Sequence, residues 1–224
     1  MSRTLKADLH VHTDGSYDCH TPVEDVVEAA VEAELDVLAV TDHDAIEMSY
    51  EAAELVADYD IVGVVGVEVS TSKGHILALG VEERPPAGEP VDKTVERVRS
   101  QGGVAVLPHP FQRLRHGAGA VRDVDAVESY NSRLLTGFAN WRAHRFARRH
   151  GLPEVGGSDA HIAAMVGQTH TEIEAERDAD AVLEAIRDGH TEVYGRRTPF
   201  AHTFQQFATK APARVKRDLL SFFS

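Results

Sequence analysis

Histidine and carboxylate side chains recur at the ends of short apolar segments in this sequence of 224 residues. His10 and His12 close the segment that begins at Ala7, and the alternation of a β-strand would point both imidazoles to the same side. Two adjacent imidazoles are half of a metal site. The complete set of such residues is His10, His12, Asp18, His43, Glu68, His75, His109, Asp159 and His161. Imidazoles and carboxylates without a thiolate favour Zn²⁺, Mn²⁺ or Fe²⁺ and suit hydrolysis better than a structural zinc site.

Each of these residues also has a structural interpretation. A single histidine at a strand end is more often a hydrogen-bonded structural residue than a ligand. Nine ligand-type residues at comparable positions favour a shared site instead. Asp42 is either an acceptor that orients a ligand imidazole or the N-cap of the following helix. Cys19 and His20 lie next to Asp18 and are interpreted as loop residues without a role.

The elements that must position these side chains are short strands that alternate with helices. We predict strands at 7–12, 36–41, 61–69, 75–81, 104–108, 126–130, 154–157, 171–173 and 192–194, and helices from about 21–34, 47–59, 92–101, 135–150 and 180–188. A capping box from Thr21 to Glu24 would start the first helix. Alternating elements of this kind predict β-α units around a parallel sheet, closed into a barrel or strongly curved, with the site at the carboxyl ends of the strands.

Composition narrows the class of protein. The net charge of −13 and the count of only five lysines argue against a general nucleic-acid coat, and no stable binding of duplex DNA is expected. The longest apolar run, 61–67, is too short to span a membrane, the start of the chain lacks a signal-peptide pattern, and the single cysteine predicts a reducing cytoplasmic location. Residues 196–224 carry a net charge of +5 and predict a basic amphipathic tail after a domain of residues 1–195.

The ordered motifs resemble those of the PHP (polymerase and histidinol phosphatase) family of metal-dependent phosphoesterases. The matching segments are Asp8-Leu9-His10-Val11-His12-Thr13, Thr41-Asp42-His43, Gly66-Val67-Glu68, Pro108-His109-Pro110 and Gly157-Ser158-Asp159-Ala160-His161, with Asp18 and His75 between them. The resemblance spans residues 7 to about 195. It implies a distorted (β/α)₇ TIM-like barrel with two or three divalent metal ions.

The same resemblance implies a distribution of ligands. His10, His12, Glu68 and Asp159 would hold the first metal. Glu68 would bridge to a second metal, which His75 and His109 would also hold, and Asp18, His43 and His161 would hold the third. The family's Ser-Asp-Gly loop reads Ser16-Tyr17-Asp18-Cys19 here, so Asp14 rivals Asp18 as the loop ligand.

The implied function is the hydrolysis of small phosphomonoesters by a metal-activated hydroxide, with Glu68, Asp159 and His161 as catalytic residues. The segment Glu128-Ser129-Tyr130-Asn131 is similar to that of small family members that act on nucleotides or the ends of short oligonucleotides. The candidate phosphate-binding residues are Lys73, Arg113, Arg115, His116 and Arg133, although ordinary solvated loop charge explains each equally well. The alternatives are a histidinol-phosphate phosphatase, an amidohydrolase and a non-catalytic metal-binding module.

Overall fold

The computed structural model describes residues 2–112, 117–134 and 137–195. The strands are β1 Arg3–Val11, β2 Val37–Val40, β3 Val62–Gly63, β4 Gly66–Ser70, β5 His75–Leu79, β6 Val104–Leu107, β7 Ala126–Asn131, β8 Glu154–Gly157, β9 Thr169–Ala175 and β10 Thr191–Gly195. The helices are α1 Val23–Glu32, α2 Glu47–Ala57, α3 Val91–Ser100, α4 Gly137–His150 and α5 Ala179–Asp188, with a 3₁₀ turn at Ala163–Met165. The predictions for Arg113, Arg115, His116 and the tail 196–224 fall outside the described residues.

The strands pair as two five-stranded sheets. Their orders are β10-β9-β1-β2-β3 and β4-β5-β6-β7-β8. The mixed α/β class is confirmed, but the all-parallel sheet is wrong, because β9 runs antiparallel to β1 and β10, and β5 runs antiparallel to β4 and β6. Within the described ranges no strand-to-strand ladder joins the two sheets, which meet through isolated bridges. The seven-unit barrel therefore stays a prediction.

Two isolated bridges join the sheets next to the predicted metal ligands. Val11 bridges Ala160, and His43 bridges Glu68, both in parallel orientation. The carboxyl ends of β1 and β2 thereby meet residues from β4 and from the segment after β8. This contact between sheet ends brings the candidate ligands together.

The long strand expected over residues 61–69 divides into β3 and β4. At Gly63 a methyl group would lie 2.4 Å from the Cα of Ala53 on α2, and at Gly66 it would lie 2.9 Å from Thr41 Cγ2. Both glycines therefore allow close packing that a side chain would prevent. The chain turns between them, which lets β3 extend one sheet and β4 begin the other.

The helices follow the apolar pattern, although the first one starts differently from the prediction. Thr21 does not cap α1, because its hydroxyl donates to the carbonyl of His161 at 3.0 Å. Thr21 thus links the start of α1 to the segment that carries Asp159 and His161. In α5, Asp178 accepts the N–H groups of the first turn, and Gly189 ends the helix in the left-handed conformation. No helix in the described ranges is long and apolar enough to cross a bilayer.

Candidate metal centre

All nine predicted ligands lie together at the junction of the two sheets. Eight of them are buried, and the carboxylate of Asp18 is 15% exposed. Their donor atoms form four overlapping groups, each within 4.8 Å: His12, Asp18, His43 and His161; His10, His109 and Asp159; His10, His12 and Glu68; and His43, Glu68 and His75. Spacing along the sequence thus predicted a cluster that the fold assembles from both sheets.

Glu68 on β4 lies at the centre of this cluster, with a different set of imidazoles at each oxygen. Its Oε1 lies 2.6 Å from His75 Nδ1 and 3.0 Å from His109 Nε2. Its Oε2 lies 3.3 Å from the Nε2 atoms of both His10 and His12. The Nδ1 of His43 is also 3.3 Å from Oε2. One carboxylate therefore faces two donor sets, as a ligand shared by two cations must.

Asp159 and the loop carboxylate of Asp18 complete the cluster on the other side. Asp159 Oδ1 lies 3.5 Å from His12 Nε2 and 3.4 Å from His161 Nδ1. Asp18 Oδ2 lies 3.1 Å from His161 Nε2, and its Oδ1 is 3.8 Å from His43 Nε2. The rival residue Asp14 is exposed. The geometry thus brings Asp18 to the imidazoles expected for a third cation.

The donor spacing fits divalent cations. The Nε2 atoms of His10 and His12 are 3.2 Å apart, and each lies 3.3 Å from Glu68 Oε2. A tetrahedral zinc ion with bonds of about 2.0–2.1 Å has donors about 3.3–3.4 Å apart. The Nδ1 atoms of His12, His43 and His109 are buried without a hydrogen-bond partner in the described part of the chain. Buried polar atoms without partners are costly. Of these three, His43 Nδ1 faces Glu68 Oε2, where a cation would be its partner, whereas His12 and His109 face Glu68 with their Nε2 atoms.

Two of the ligand imidazoles are held in one tautomer by neighbouring acceptors. Nδ1 of His10 donates to Glu128 Oε1 at 2.8 Å, so its Nε2 faces Glu68. Nδ1 of His161 donates to the carbonyl of Asp159 at 3.0 Å, so its Nε2 lone pair faces Asp18. Ligating histidines usually donate their second nitrogen in this way, which fixes the ring and raises its basicity.

The electrostatics of the cluster favour ionised carboxylates. Burial raises the pKa of Glu68, but His43 and His10 outweigh burial and hold that pKa well below its usual range. Burial also raises the pKa of Asp159, and Arg133 and His10 reverse that effect. Burial lowers the pKa of His43 to about 3. Burial lowers the pKa of His10 and His12, but the neighbouring carboxylates outweigh burial and raise the pKa of His12 to about 9 and that of His10 above its usual range. A divalent cation that binds these two imidazoles must therefore displace their protons.

Backbone conformation at two ligands shows that the cluster is fixed by its surroundings. His109 and Asp159 have positive φ values of 28° and 51°. Residues other than glycine seldom adopt this region, and such conformations persist where the structure around them compensates for the cost. The amide of His109 donates to Glu128 Oε2, and the amide of Asp159 donates to the carbonyl of His10, both at 2.8 Å.

Sequence reasoning did not identify Glu128 and Asn131 as site residues. Asn131 Nδ2 donates to Glu128 Oε2 at 3.0 Å and to Asp159 Oδ2 at 3.1 Å. Asn140 on α4 holds the backbone of Asn131 through two hydrogen bonds. Both residues are buried on β7. In the sequence, a glutamate and an asparagine three residues apart within a predicted strand could have indicated that they belong to the site.

Other buried polar residues support the ligand segments without joining the cluster. Asp8 accepts the amides of Ser158 and Gly167, which ties β1 to the segment that carries Asp159. Asp42 accepts from the amide of Thr13 at 2.7 Å and lies 3.9 Å from His12 Nδ1. The N-cap alternative for Asp42 is wrong, because α2 begins five residues later and has Ile46 at its N-cap position.

The loop residues Cys19 and His20 remain outside the donor set. Cys19 Sγ donates to the carbonyls of His12 and His161, and burial raises the pKa of its thiol. A buried neutral thiol is a poor metal ligand. His20 is exposed. On the rim, the ring of Tyr17 stacks on His43 with centroids 4.9 Å apart and remains 70% exposed.

The candidate phosphate-binding residues differ in their positions. Arg133 lies at the cluster, with Nη1 3.2 Å from Asp159 Oδ1 and Nη2 3.9 Å from Asp18 Oδ2. Lys73 is exposed in the turn that precedes His75. Arg133 is thus the described cation that the fold brings directly to the ligands.

The comparisons with known proteins agree with the motifs. The PHP-associated family model matches residues 137–191. The chain is 30% identical over 149 residues to an uncharacterized protein of Methanocaldococcus jannaschii, covering 61% of this chain and 87% of that protein. It is 38% identical over 170 residues to a 3′,5′-nucleoside bisphosphate phosphatase of Chromobacterium violaceum, covering 62% of this chain and 59% of that protein.

A solved structure shares the fold. It is a two-domain protein from Bacteroides vulgatus containing a predicted PHP-like metal-dependent phosphoesterase, with a TM-score of 0.73, 19% identity, and coverage of 93% of this chain and 70% of that one. The mixed α/β fold and the buried cluster of imidazoles and carboxylates are typical of a metal-dependent hydrolase. The chain belongs to the PHP domain family, whose members are metal-dependent phosphoesterases.

Proposed function

We propose that this phosphoesterase hydrolyses small phosphomonoesters, with nucleotides or the ends of short oligonucleotides as substrates. The observation that carries the proposal is the position of Glu68, whose two oxygens face separate imidazole sets. Two cations that share a carboxylate can hold both the attacking and the leaving oxygen of a phosphate ester. The relative named as a nucleoside bisphosphate phosphatase supports the substrate class.

The proposed ligand sets are those that the family resemblance implies, and the distances around Glu68 and Asp18 support them. His10, His12, Glu68 and Asp159 would hold one cation; Glu68, His75 and His109 a second; and Asp18, His43 and His161 a third. The donor groups within 4.8 Å divide the residues differently, since they join His43 to His75 and His109 to Asp159. Zn²⁺, Mn²⁺ and Fe²⁺ all accept these ligands. Divalent cations would supply Lewis-acid polarisation of the phosphate oxygens and a water of lowered pKa.

The chain's own groups would orient the ester. We expect the guanidinium of Arg133 to bind phosphate oxygens, because it lies at the cluster and is 24% exposed. Asp159, which Asn131 and Arg133 hold in place, would fix the geometry of the donors that face the phosphate. His161, with its Nδ1 proton held by a carbonyl, would present Nε2 to the same space. The exposed face of Tyr17 would line the entrance.

A hydrolysis panel tests this function. Protein loaded separately with Zn²⁺, Mn²⁺ and Fe²⁺ would be assayed for phosphate release from nucleoside monophosphates, nucleoside bisphosphates, histidinol phosphate and p-nitrophenyl phosphate, and for opening of cyclic amides. We expect phosphate release, with nucleotides preferred over histidinol phosphate. Amide hydrolysis without ester hydrolysis would identify an amidohydrolase, and bound metal without any turnover would identify a binding module.

The setting of the activity is also part of the proposal. The thiol of Cys19 is buried and free, which suits a reducing compartment. We propose a cytoplasmic location, with phosphorylated small molecules as the partners of the site.

A further inference from the structure

Helix α4 carries a concentration of positive charge that contrasts with the rest of the chain. Its 14 residues include Arg142, Arg145, Arg148 and Arg149 and no acidic residue, whereas the whole chain has a net charge of −13. Cations in the last turn can stabilise the helix dipole, which accounts for Arg148 and Arg149. The dipole does not account for Arg142 and Arg145, which lie in the middle of the helix.

The same helix exposes two stacked aromatic rings. Phe138 is 64% exposed and Trp141 is 53% exposed, and their ring centroids lie 5.7 Å apart with an angle of 22° between the planes. The guanidinium of Arg145 lies 5.7 Å from the centre of the Trp141 ring. Residues 138, 141, 145 and 148 follow the spacing of one helix face, so aromatic and cationic side chains form one continuous surface. We call Phe138, Trp141, Arg145 and Arg148 the α4 stripe.

The arginines of the α4 stripe also differ from other exposed arginines in their partners. Arg97 pairs with Glu89, and Arg99 pairs with Asp123 and Asp125. Within the described ranges, Arg145 and Arg148 have no carboxylate at ion-pair distance. Their charges are therefore available for an anionic partner.

The position of the helix connects this surface to the metal centre. Helix α4 follows β7, whose last residue, Asn131, holds Asp159, and Asn140 on α4 binds the backbone of Asn131. Phe138 lies in the first turn of α4, two residues before Asn140. At about 1.5 Å per residue, the α4 stripe extends about 15 Å along the helix from Phe138, a length that a few nucleotides of one strand would span.

We propose that the α4 stripe binds single-stranded nucleic acid, with a terminal phosphate at the metal centre and the adjacent nucleotides along the helix. This inference rests on the proposed function and specifies its substrate as an oligonucleotide. Bases would stack on the Phe138–Trp141 pair, and Arg145 and Arg148 would contact phosphates. Surfaces that bind single strands combine aromatic platforms with a basic track in this manner. Residues 1–195 carry the acidic excess of the chain, which would disfavour contact of the nucleic acid with the other surfaces of this domain.

Binding without turnover tests the proposal independently of catalysis. The metal-loaded protein would be titrated with fluorescent single-stranded RNA and DNA of about 12 nucleotides, a length within the usual site sizes, at several salt concentrations. The triple variant Trp141→Ala/Arg145→Ala/Arg148→Ala should bind at least about tenfold more weakly, because it loses one stacking platform and two phosphate contacts. Its log–log salt dependence should be flatter by about 1.4. Its turnover of p-nitrophenyl phosphate should match that of the unaltered protein.

A matched control removes one exposed aromatic ring and two exposed arginines elsewhere, in the variant Tyr59→Ala/Arg84→Ala/Arg3→Ala. This control should keep the affinity and salt dependence of the unaltered protein. Equal affinity in all three proteins, or equal loss in both variants, would overturn the proposal. Binding of poly-aspartate but not of either oligonucleotide would overturn it in favour of an acidic protein partner. Oligonucleotide binding without hydrolysis of any ester would support the surface while contradicting the proposed function.

Discussion

The carboxylate of Glu128 lies 2.8 Å from Nδ1 of His10, on the side of the imidazole away from Glu68. Its other oxygen accepts the amide of His109 at 2.8 Å. Glu128 therefore aligns ligand residues from two different segments, one at the end of β1 and one after β6. Such neighbours of ligands influence metal affinity although they do not contact the metal.

This arrangement predicts that Glu128→Gln weakens metal binding. The glutamine amide would present N–H to either His10 or the donors His109 and Asn131, so one hydrogen bond must be lost. We expect a loss in metal affinity of about 10- to 100-fold, as is typical for residues that orient ligands. Calorimetric titration of metal-free protein would measure it. Glu154→Gln is the control, because Glu154 pairs with His144 away from the ligands, and equal affinities of both variants would contradict the prediction.

Metal content and stability should change together. We expect two or three divalent cations per chain after metal-replete preparation, because the donors form overlapping groups around Glu68. Ligands at about 100 times their Kd stabilise a fold by about 2.7 kcal/mol, so a chelator should lower Tm by about 5–10 °C for a chain of this size. Elemental analysis and thermal denaturation measure the two quantities. One ion or none per chain would contradict the prediction.

The two loop aspartates should behave differently. Asp18 lies 3.1 Å from His161 Nε2, whereas Asp14 is exposed. Asp18→Asn removes one negative donor, so we expect the loss of one cation per chain and at least about a tenfold decrease in kcat, equivalent to about 1.4 kcal/mol. Asp14→Asn is the matched control and should retain both properties. The reverse pattern in metal analysis and kinetics would assign the ligand to Asp14.

Arg133 should act on the substrate more than on the metals. Its guanidinium offers paired donors to phosphate oxygens, a geometry that neither methionine nor lysine reproduces. For Arg133→Met we expect kcat/KM to decrease by about 10- to 100-fold, which is about 1.4–2.7 kcal/mol. Metal content should remain that of the unaltered protein. Lys73→Met, at an exposed turn position, should have a smaller effect, and a larger effect there would make Lys73 the principal phosphate contact.

Residue types and spacing were sufficient to predict which side chains form the cluster, since few other roles bring imidazoles and carboxylates to so many segment ends. That these side chains bind metal stays a prediction. The alternation of side chains along a strand was enough to predict that His10 and His12 point to the same side, and the structure places their Nε2 atoms 3.2 Å apart. The choice between Asp14 and Asp18 required the fold of the loop, because both carboxylates lie close to His12 in sequence.

Strand direction and hydrogen-bond partners depended on tertiary contacts. β5 is buried at every position, as a central parallel strand would be, although it pairs antiparallel on both sides. In β9 buried and less buried residues alternate, but this segment has too few apolar residues to predict its direction from the sequence. Thr21 has the sequence of a helix cap, but the nearby carbonyl of His161 takes its hydroxyl. Glu128 resembles any polar strand residue until His10 and His109 are brought to it from distant parts of the chain.

Glu68 provides the most direct test of the shared-ligand assignment. A carboxylate can bind a cation with each oxygen and reduces the repulsion between two dipositive ions, whereas an amide carries no charge. Glu68→Gln keeps the size of the side chain but replaces one carboxylate oxygen by an NH₂ group. That group would face either His75 and His109 or His10 and His12, so one of the two imidazole sets would lose its shared oxygen. We therefore expect weaker binding of two cations and a decrease in kcat of at least about 100-fold, or about 2.7 kcal/mol, with folding retained. Kinetics on p-nitrophenyl phosphate, with metal content and circular dichroism measured on the same samples, would decide this.

His20→Ala is the control, because His20 lies at an exposed loop position, and it should change neither kcat nor metal content. Near-normal turnover of Glu68→Gln would exclude Glu68 as the ligand that joins the first two sites.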